Sequence, residues 1–221
     1  MLKVNEIFET IQGEGMFTGV PSIFLRLQGC PVGCAWCDTK HTWVVDINNE
    51  TSFETVKNKQ VDGDSWCHIT VEDIVKECIT HYNARHVVIT GGEPCMYDLR
   101  PLTFLLEESG FTTQIETSGT FEVNCSKSTW VTVSPKLDMR GGLIMNEQAL
   151  YRANELKHPV GTLKDIDNLH EILTKFELKD DLVIALQPIS QKKRATEMCI
   201  EACIKNNWRL SIQTHKYLQI A

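Results

Sequence analysis

The chain has 221 residues, of which 42% are hydrophobic and 23% charged, and this composition is typical of a single globular α/β domain over residues 1–221. A net charge of -7 argues against a general binder of nucleic acid or of anionic membranes. Residues 1–15 lack the apolar run of a secretion signal, and no stretch of about 20 apolar residues occurs. We therefore expect a cytoplasmic protein.

The first predicted elements are two strands joined by a glycine-containing turn. Residues 4–10 predict an extended strand that ends in Gln-Gly-Glu-Gly at residues 12–15, which can be a plain surface turn. Residues 21–28 predict a buried strand that is apolar except for Arg26 and the flanks. A buried arginine needs an anionic partner, and either a structural carboxylate or a ligand carboxylate could supply it.

Three cysteines follow the second strand at spacings of four and three residues: Cys30, Cys34 and Cys37. Soft thiolates in one loop suit zinc or an iron–sulfur cluster. His41 could complete a closed Cys3His zinc site, whereas a four-iron cluster held by three cysteines would keep one iron open. The six other cysteines form no second close triplet. Because the strand leads directly into the loop, we place the metal at a strand's C-terminal end.

The next segments add a possible metal ligand and a variable region. Asp38 and Thr39 carry the hard oxygen ligands that Mg²⁺ prefers, although capping by an Asx turn is the simpler explanation of this pair. Residues 44–68 are polar and lack clear periodicity. We predict a partly helical insertion at the rim of the site.

Strands and helices then alternate to the end of the chain. A helix from residue 71 precedes a β-branched strand at 86–90, which runs into a backbone-exposing turn, Gly-Gly-Glu-Pro, at 91–94. Further strands are predicted at 112–117, 130–134, 155–158, 182–188 and 208–214, with helices near 98–106, 146–154, 166–176 and 195–207. This order predicts a parallel sheet of six or seven strands, too few for an eight-stranded barrel. We expect a partial, open parallel β-barrel with flanking helices.

The cysteine loop, with the aromatic Trp36 before its last cysteine, resembles the signature of the radical S-adenosylmethionine superfamily. The Gly-Gly-Glu-Pro turn resembles a second motif of that superfamily, which contacts the amino group of the cofactor's methionine part. The resemblance implies a [4Fe-4S] cluster whose open iron binds S-adenosylmethionine, and it favours the cluster over zinc.

Further stretches resemble one family within it, the 7-carboxy-7-deazaguanine synthases. They comprise residues 8–15, 26–30, 37–39, 90–94, 116–119, 134–136 and 215–216. The resemblance implies conversion of 6-carboxy-5,6,7,8-tetrahydropterin to 7-carboxy-7-deazaguanine with loss of ammonia, on the path to queuosine and related 7-deazapurines. It also implies Mg²⁺, a homodimer and an electron donor such as flavodoxin.

The same resemblance assigns site residues by position. The cluster would be held by Cys30, Cys34 and Cys37, and Mg²⁺ by the hydroxyl of Thr39. S-adenosylmethionine would be held by Trp36, Cys37, Asp38, Gly92, Ser134, Pro135 and Lys136. The pterin would be held by Ile11, Gln12, Gly13, Glu14, Arg26, Thr90, Glu116, His215 and the carboxylate of Ala221. No side chain is assigned as catalytic acid or base, because the cofactor carries the chemistry.

Two other functions share part of this pattern. A radical activase that acts on a partner protein would have the same cysteine loop and Gly-Gly-Glu-Pro turn. It gives no reason for Arg26 or for the turn at residues 12–15. A zinc-stapled binding module would contain zinc without iron or sulfide.

Overall fold

The computed structural model describes residues 1–220, which form nine strands and seven α-helices. The strands are β1 (Leu2–Ile11), β2 (Pro21–Leu27), β3 (Cys67–Ile69), β4 (His86–Gly91), β5 (Thr112–Thr117), β6 (Trp130–Val133), β7 (Glu155–Val160), β8 (Val183–Pro188) and β9 (Arg209–Leu210). The helices are α1 (Phe53–Lys57), α2 (Val71–His81), α3 (Arg100–Glu108), α4 (Glu147–Arg152), α5 (Leu163–Lys175), α6 (Lys193–Asn206) and α7 (Thr214–Leu218).

All nine strands join one sheet in the order β3-β1-β2-β4-β5-β6-β7-β8-β9. The seven strands from β2 to β9 in this order pair in parallel, and β1 and β3 add an antiparallel edge beyond β2. Within residues 1–220, β3 and β9 each have one strand neighbour, so the sheet stays open. The predicted partial parallel barrel is confirmed, with the two antiparallel strands as an addition.

The longer helices each bury an apolar side, as α2 and α6 illustrate. In α2, the Thr70 hydroxyl accepts the Asp73 N–H and caps the first turn, and Ile74, Val75 and Cys78 are buried. In α6, Cys199 and Cys203 are buried in the same way, as core residues rather than metal ligands. None of the described helices is long and apolar enough to cross a membrane.

The first residues of the turn between β1 and β2 are covered by the protein: Gln12 and Gly13 are buried and Gly15 is half-buried, whereas Met16 is exposed. The Gly15 N–H donates to Ser211 Oγ at 2.9 Å, and the Met16 N–H donates to the buried Glu155 carboxylate at 3.1 Å. The Phe17 ring packs against His86 at a tilt of 37° and meets Trp130 edge to face, with centroids 4.4 and 5.2 Å apart. His86, Trp130 and Glu155 are the first residues of β4, β6 and β7, so this turn forms the floor of the barrel.

The end of the chain differs from its prediction. Residues 208–214 were expected to form a strand, but β9 is only Arg209–Leu210 and a short helix begins at Thr214. The Thr214 N–H donates to the Gly13 carbonyl at 2.9 Å. This bond to the floor draws the chain away from the sheet, and nothing in the local residue pattern indicates it.

The insertion at residues 44–68 is fastened to β1 by buried polar groups. Lys59 Nζ donates to the Asn5 carbonyl at 2.8 Å and to the Ser65 carbonyl at 2.7 Å. Trp66 is 1% exposed and its indole N–H donates to the Asp46 carbonyl at 2.9 Å. The insertion thus contains α1, and its buried Val56 and Cys67 join the main hydrophobic core.

We expect Gly91→Ala to destabilise the protein more than Gly110→Ala. Both glycines have positive φ, +126° and +86°, but a Cβ on Gly91 would overlap the Leu27 backbone, whereas nothing lies within 4 Å of one on Gly110. Strain alone costs about 1–2 kcal/mol and overpacking adds about 1–3 kcal/mol. Urea unfolding should give losses near ~3 kcal/mol and ~1 kcal/mol, and equal losses would contradict the overlap.

Candidate active site

A cavity of about 360 Å³ opens where the parallel strands of the barrel end. It is lined by these residues singled out from the sequence: Ile11, Gln12, Gly13, Glu14, Arg26, Cys30, Cys34, Trp36, Cys37, Asp38, Thr39, Thr90, Gly92, Glu116, Ser134, Lys136 and His215. Pro135 is buried behind the lining. Ala221 lies outside the described residues. The fold thus brings segments that are far apart in the sequence to one place.

The loops after β2 and β4 are interlocked through their backbones. The Gly92 N–H donates to the Leu27 carbonyl at 2.9 Å, and the Glu93 N–H donates to the Gly29 carbonyl at 2.8 Å. A Cβ on Gly92 would overlap the Gly29 carbonyl. Glycine is therefore required at position 92 for the two loops to approach this closely.

The Glu93 carboxylate is buried and surrounded by hydrogen-bond donors. It accepts the N–H groups of Cys95 and Ser118 at 2.9 and 2.8 Å and the Thr117 hydroxyl at 2.6 Å. Glu93 is 1% exposed. Its role is to tie the loop after β4 to the loop after β5, which leaves the Gly91–Gly92 backbone facing the cavity.

The cysteine loop is built from backbone bonds and one left-handed glycine. The Gly29 and Cys30 N–H groups donate to the carbonyls of Thr42 and Trp43 at 2.7 and 3.0 Å. Gly33 has φ +73°, and the Cys37 N–H donates to the Cys34 carbonyl at 3.2 Å. The chain thus turns tightly between the cysteines.

The three thiols suit a group larger than one metal ion. Among residues 1–220, one set of three metal-ligating side chains converges within 4.8 Å, and it is Glu6, His41 and Asp62 rather than the cysteines. A single zinc with bonds of about 2.3 Å would hold its sulfurs about 3.8 Å apart. A ring nitrogen of His41 lies within 4.8 Å of the carboxylates of Glu6 and Asp62 and not of the thiols, so the described residues do not bring the four ligands of a Cys3His zinc site together.

Electrostatics also favour a cationic group at the thiols. Burial raises the pKa of Cys30 to about 11, and burial also raises the pKa of Cys34, although Lys136 opposes that shift. Thiols with raised pKa values become thiolates readily only when a metal replaces the proton. The irons of a cluster would supply that charge.

Asp38 and Thr39 lie beside the last cysteine. Asp38 Oδ2 accepts from Lys216 Nζ at 3.0 Å, and the Thr39 hydroxyl is 3.6 Å from Cys37 Sγ. On the opposite wall, Lys136 Nζ donates to Ser134 Oγ, and burial lowers the pKa of Lys136. These polar groups flank the thiols on both sides.

A buried triad of charges occupies the floor of the cavity. Lys157 Nζ lies 2.7 Å from Glu14 Oε2 and 2.8 Å from Glu116 Oε2. The amides of Gln213 and Gln187 donate to Glu14 Oε1 at 2.8 and 3.2 Å. Glu14 is thus held by three donors.

The two carboxylates have opposite pKa shifts. Burial alone would raise the pKa of Glu14, but Lys157 and Gln213 lower it to about 2. Burial raises the pKa of Glu116 to about 7, and the like charges of Glu14 and Glu155 add to this against the opposing effect of Lys157. The floor therefore pairs a firmly ionised carboxylate with one that titrates near neutral pH.

In the structure, Arg26 pairs with a carboxylate of the protein, which is one of the two kinds of anionic partner expected from the sequence. Its Nε donates to Glu6, the residue opposite it on β1. Arg26 also lines the cavity beside Thr90, its parallel neighbour on β4. The structural salt bridge exists, and a ligand carboxylate can still reach the guanidinium from the cavity.

His215 covers the floor turn. Its ring lies against Gly13, where a Cβ would overlap Nδ1, and burial lowers the pKa of His215. Position 13 therefore has no room for a side chain, because the histidine ring packs on it. His215 joins the cavity wall through this contact.

Sequence reasoning missed Lys157, Gln187 and Gln213. A charged residue inside a predicted strand is the signal that singled out Arg26, and Lys157 lies inside the strand predicted at 155–158. Gln187 is likewise a polar residue near the end of an apolar strand. Gln213 had no such signal, because its position beside Glu14 depends on the turn of the chain after β9.

An open parallel barrel with three clustered thiols at its C-terminal edge defines an iron–sulfur enzyme of the radical S-adenosylmethionine class. The 4Fe-4S single cluster domain model matches residues 11–134.

Curated relatives match over almost the whole chain. The 7-carboxy-7-deazaguanine synthase of Escherichia coli K12 is 61% identical over 99% of this chain and 98% of its own length, and that of Buchnera aphidicola is 47% identical over 98% of both. The crystal structure of QueE from Escherichia coli superposes with a TM-score of 0.93 at 59% identity, covering 96% of this chain and 93% of that one. The chain belongs to the 7-carboxy-7-deazaguanine synthase family, as the sequence motifs predicted.

We expect Glu116→Gln to flatten the pH dependence of stability. With a pKa near 4.5 unfolded and about 7 folded, Glu116 holds a proton between these values only in the folded state, so its contribution is lost as the pH rises through this window. The unfolding free energy of the wild type should fall by ~3 kcal/mol more than that of the variant between pH 4.5 and 8. The exposed control Glu108→Gln should follow the wild type, and parallel curves for all three proteins would contradict the shift.

Proposed function

We propose that the protein converts 6-carboxy-5,6,7,8-tetrahydropterin to 7-carboxy-7-deazaguanine with loss of ammonia, for queuosine and related 7-deazapurines. The observation that carries this proposal is one cavity with three thiols at one end and the Glu14–Lys157–Glu116 triad at the other. A cluster can sit at the first end and a small, polar heterocycle at the second. When bound, the cluster and S-adenosylmethionine supply the carbon radical that begins the ring contraction.

Cys30, Cys34 and Cys37 hold the cluster in this proposal, and S-adenosylmethionine lies between the two interlocked loops. The Gly92 backbone faces its methionine part, and Trp36, which is 39% exposed, offers an open ring to its adenine. Asp38 and the segment Ser134-Pro135-Lys136 flank the same space. The glycines let the backbone approach the cofactor without a side chain in between.

The triad suits the guanidine-like edge of a pterin. Glu14 and Glu116 can each accept N–H donors, and Lys157 keeps both carboxylates oriented while balancing their charge. Gln12 continues this polar surface through a 3.3 Å bond to Gln114, whose amide donates to Glu116 at 3.0 Å. A polar group in the substrate replaces the water that these buried acceptors would otherwise need.

The substrate carboxylate would lie at Arg26 and Thr90. Arg26 has five N–H donors in a planar fork, and the bond to Glu6 uses Nε, so its terminal nitrogens can take a carboxylate. Ile11, Gly13 and His215 would enclose the ring.

Further assignments rest on the family resemblance. Mg²⁺ would bind the Thr39 hydroxyl beside the cluster and orient the substrate carboxylate. A flavodoxin would deliver the electron, and the enzyme would act as a homodimer in the cytoplasm. The Ala221 carboxylate would close the site.

An anaerobic assay with reconstituted protein tests the function. With 6-carboxytetrahydropterin, S-adenosylmethionine and a reductant, 7-carboxy-7-deazaguanine and ammonia should appear in equal amounts, while S-adenosylmethionine is regenerated. Rapid cleavage of S-adenosylmethionine without this product would favour an activase instead. A colourless protein without acid-labile sulfide would overturn the proposal.

We expect Cys34→Ala to abolish cluster binding and turnover while the fold persists. The matched control is Cys125→Ala, because Cys125 lies outside the cavity lining. Iron and sulfide per chain, far-UV circular dichroism and product formation are the readouts. Full turnover in Cys34→Ala, or cluster loss in Cys125→Ala alone, would contradict the ligand assignment.

We expect Thr39→Ala to weaken activation by Mg²⁺, because it removes the proposed oxygen ligand, while Thr39→Ser retains it. The measurement is the Mg²⁺ concentration for half-maximal product formation, which should rise at least tenfold in the alanine variant only. Equal Mg²⁺ dependence in both variants would remove Thr39 as a ligand.

A further inference from the structure

Trp43 touches both ends of the cysteine loop. Its indole N–H donates to Cys37 Sγ at 3.4 Å. Its carbonyl accepts the Cys30 N–H at 3.0 Å. Trp43 also lines the cavity, although no assignment made so far gives it a role.

The segment that carries Trp43 is held on two sides. Gln28 is fully buried, and its amide donates to the carbonyls of His41 and Val44 at 3.1 and 2.7 Å. The Gln28 side-chain oxygen accepts from Asn5 Nδ2 at 2.7 Å, which fixes the orientation of the amide. The backbone of Trp43 is therefore placed between two anchored carbonyls.

We propose that Trp43 sets the reduction potential of the cluster by donating a hydrogen bond to the Cys37 thiolate. This inference rests on the cluster of the proposed function. Reduction adds one negative charge, part of which resides on the cysteine sulfurs, so an N–H donor stabilises the reduced state more than the oxidised state. Hydrogen bonds to the sulfurs are among the factors that set the potentials of such clusters.

A substitution can separate the effect of the Trp43 N–H donor from that of its aromatic ring. Trp43→Phe retains an aromatic ring for packing and for the Lys40 ammonium, which lies 6.0 Å from the Trp43 ring centroid, but it removes the N–H. Trp208→Phe is the matched control, since Trp208 packs against His170, at 5.0 Å between ring centroids, and lies outside the cavity lining. The same substitution is thus compared at two places.

Redox titration of the reconstituted proteins, followed by electron paramagnetic resonance, tests the proposal. All three proteins should contain equal iron and sulfide per chain. In Trp43→Phe, the equilibrium constant for reduction should fall about tenfold, which is a shift of about 59 mV to lower potential for one electron. Trp208→Phe should match the wild type, and an unchanged potential in Trp43→Phe with a full cluster would overturn the proposal.

A second measurement uses the wild type alone. Tryptophan labelled with ¹⁵N in the indole should show a hyperfine coupling to the reduced cluster across the hydrogen bond, and Trp208→Phe should keep that coupling. Absence of the coupling in the wild type would overturn the proposal even if Trp43→Phe failed to fold. A wild type without any cluster would instead contradict the proposed function.

Discussion

The interlock between the loops after β2 and β4 is the constraint on which the site depends. The Glu93 N–H reaches the Gly29 carbonyl, and position 92 tolerates no Cβ there. Parallel pairing of Leu27 with Gly91 brings these two strand ends together. Because the first loop carries the cysteines and the second exposes bare backbone, a cofactor bound as proposed at the open iron would also meet the second loop. The proximity needed for radical transfer is thus built from main-chain atoms.

Local patterns in the sequence predicted those parts of the fold and the site that depend on neighbouring residues. The spacing of Cys30, Cys34 and Cys37, the strand before them and the glycines at 91 and 92 are such features. Long-range contacts escaped prediction. The turn at residues 12–15 was compatible with a surface turn, because its burial depends on Glu155 and Ser211, which are more than 130 residues away.

Charge inside the cavity differs from charge on the whole chain. The protein is acidic overall, yet Lys157 is buried at the floor of the cavity, and Lys136 and Arg26 line the same space. Burial opposes the charged form of Lys157, but Glu116 and Glu14 together raise its pKa. Removal of the lysine would leave two carboxylates in a low-dielectric site, so the triad is held as a unit. The net charge of the chain could not indicate this arrangement.

The two ends of the cavity are joined by the segment after β9. Gln213 donates to Glu14 on the floor, and Lys216 bonds both the Gln213 side-chain oxygen and Asp38, the residue after the last cysteine. A displacement of the Glu14–Lys157–Glu116 triad would therefore be transmitted to Asp38 through the side chains of Gln213 and Lys216. In the proposed function this continuous path would make positioning of the pterin and of the cofactor interdependent, which matters when hydrogen must pass from one to the other over a single contact.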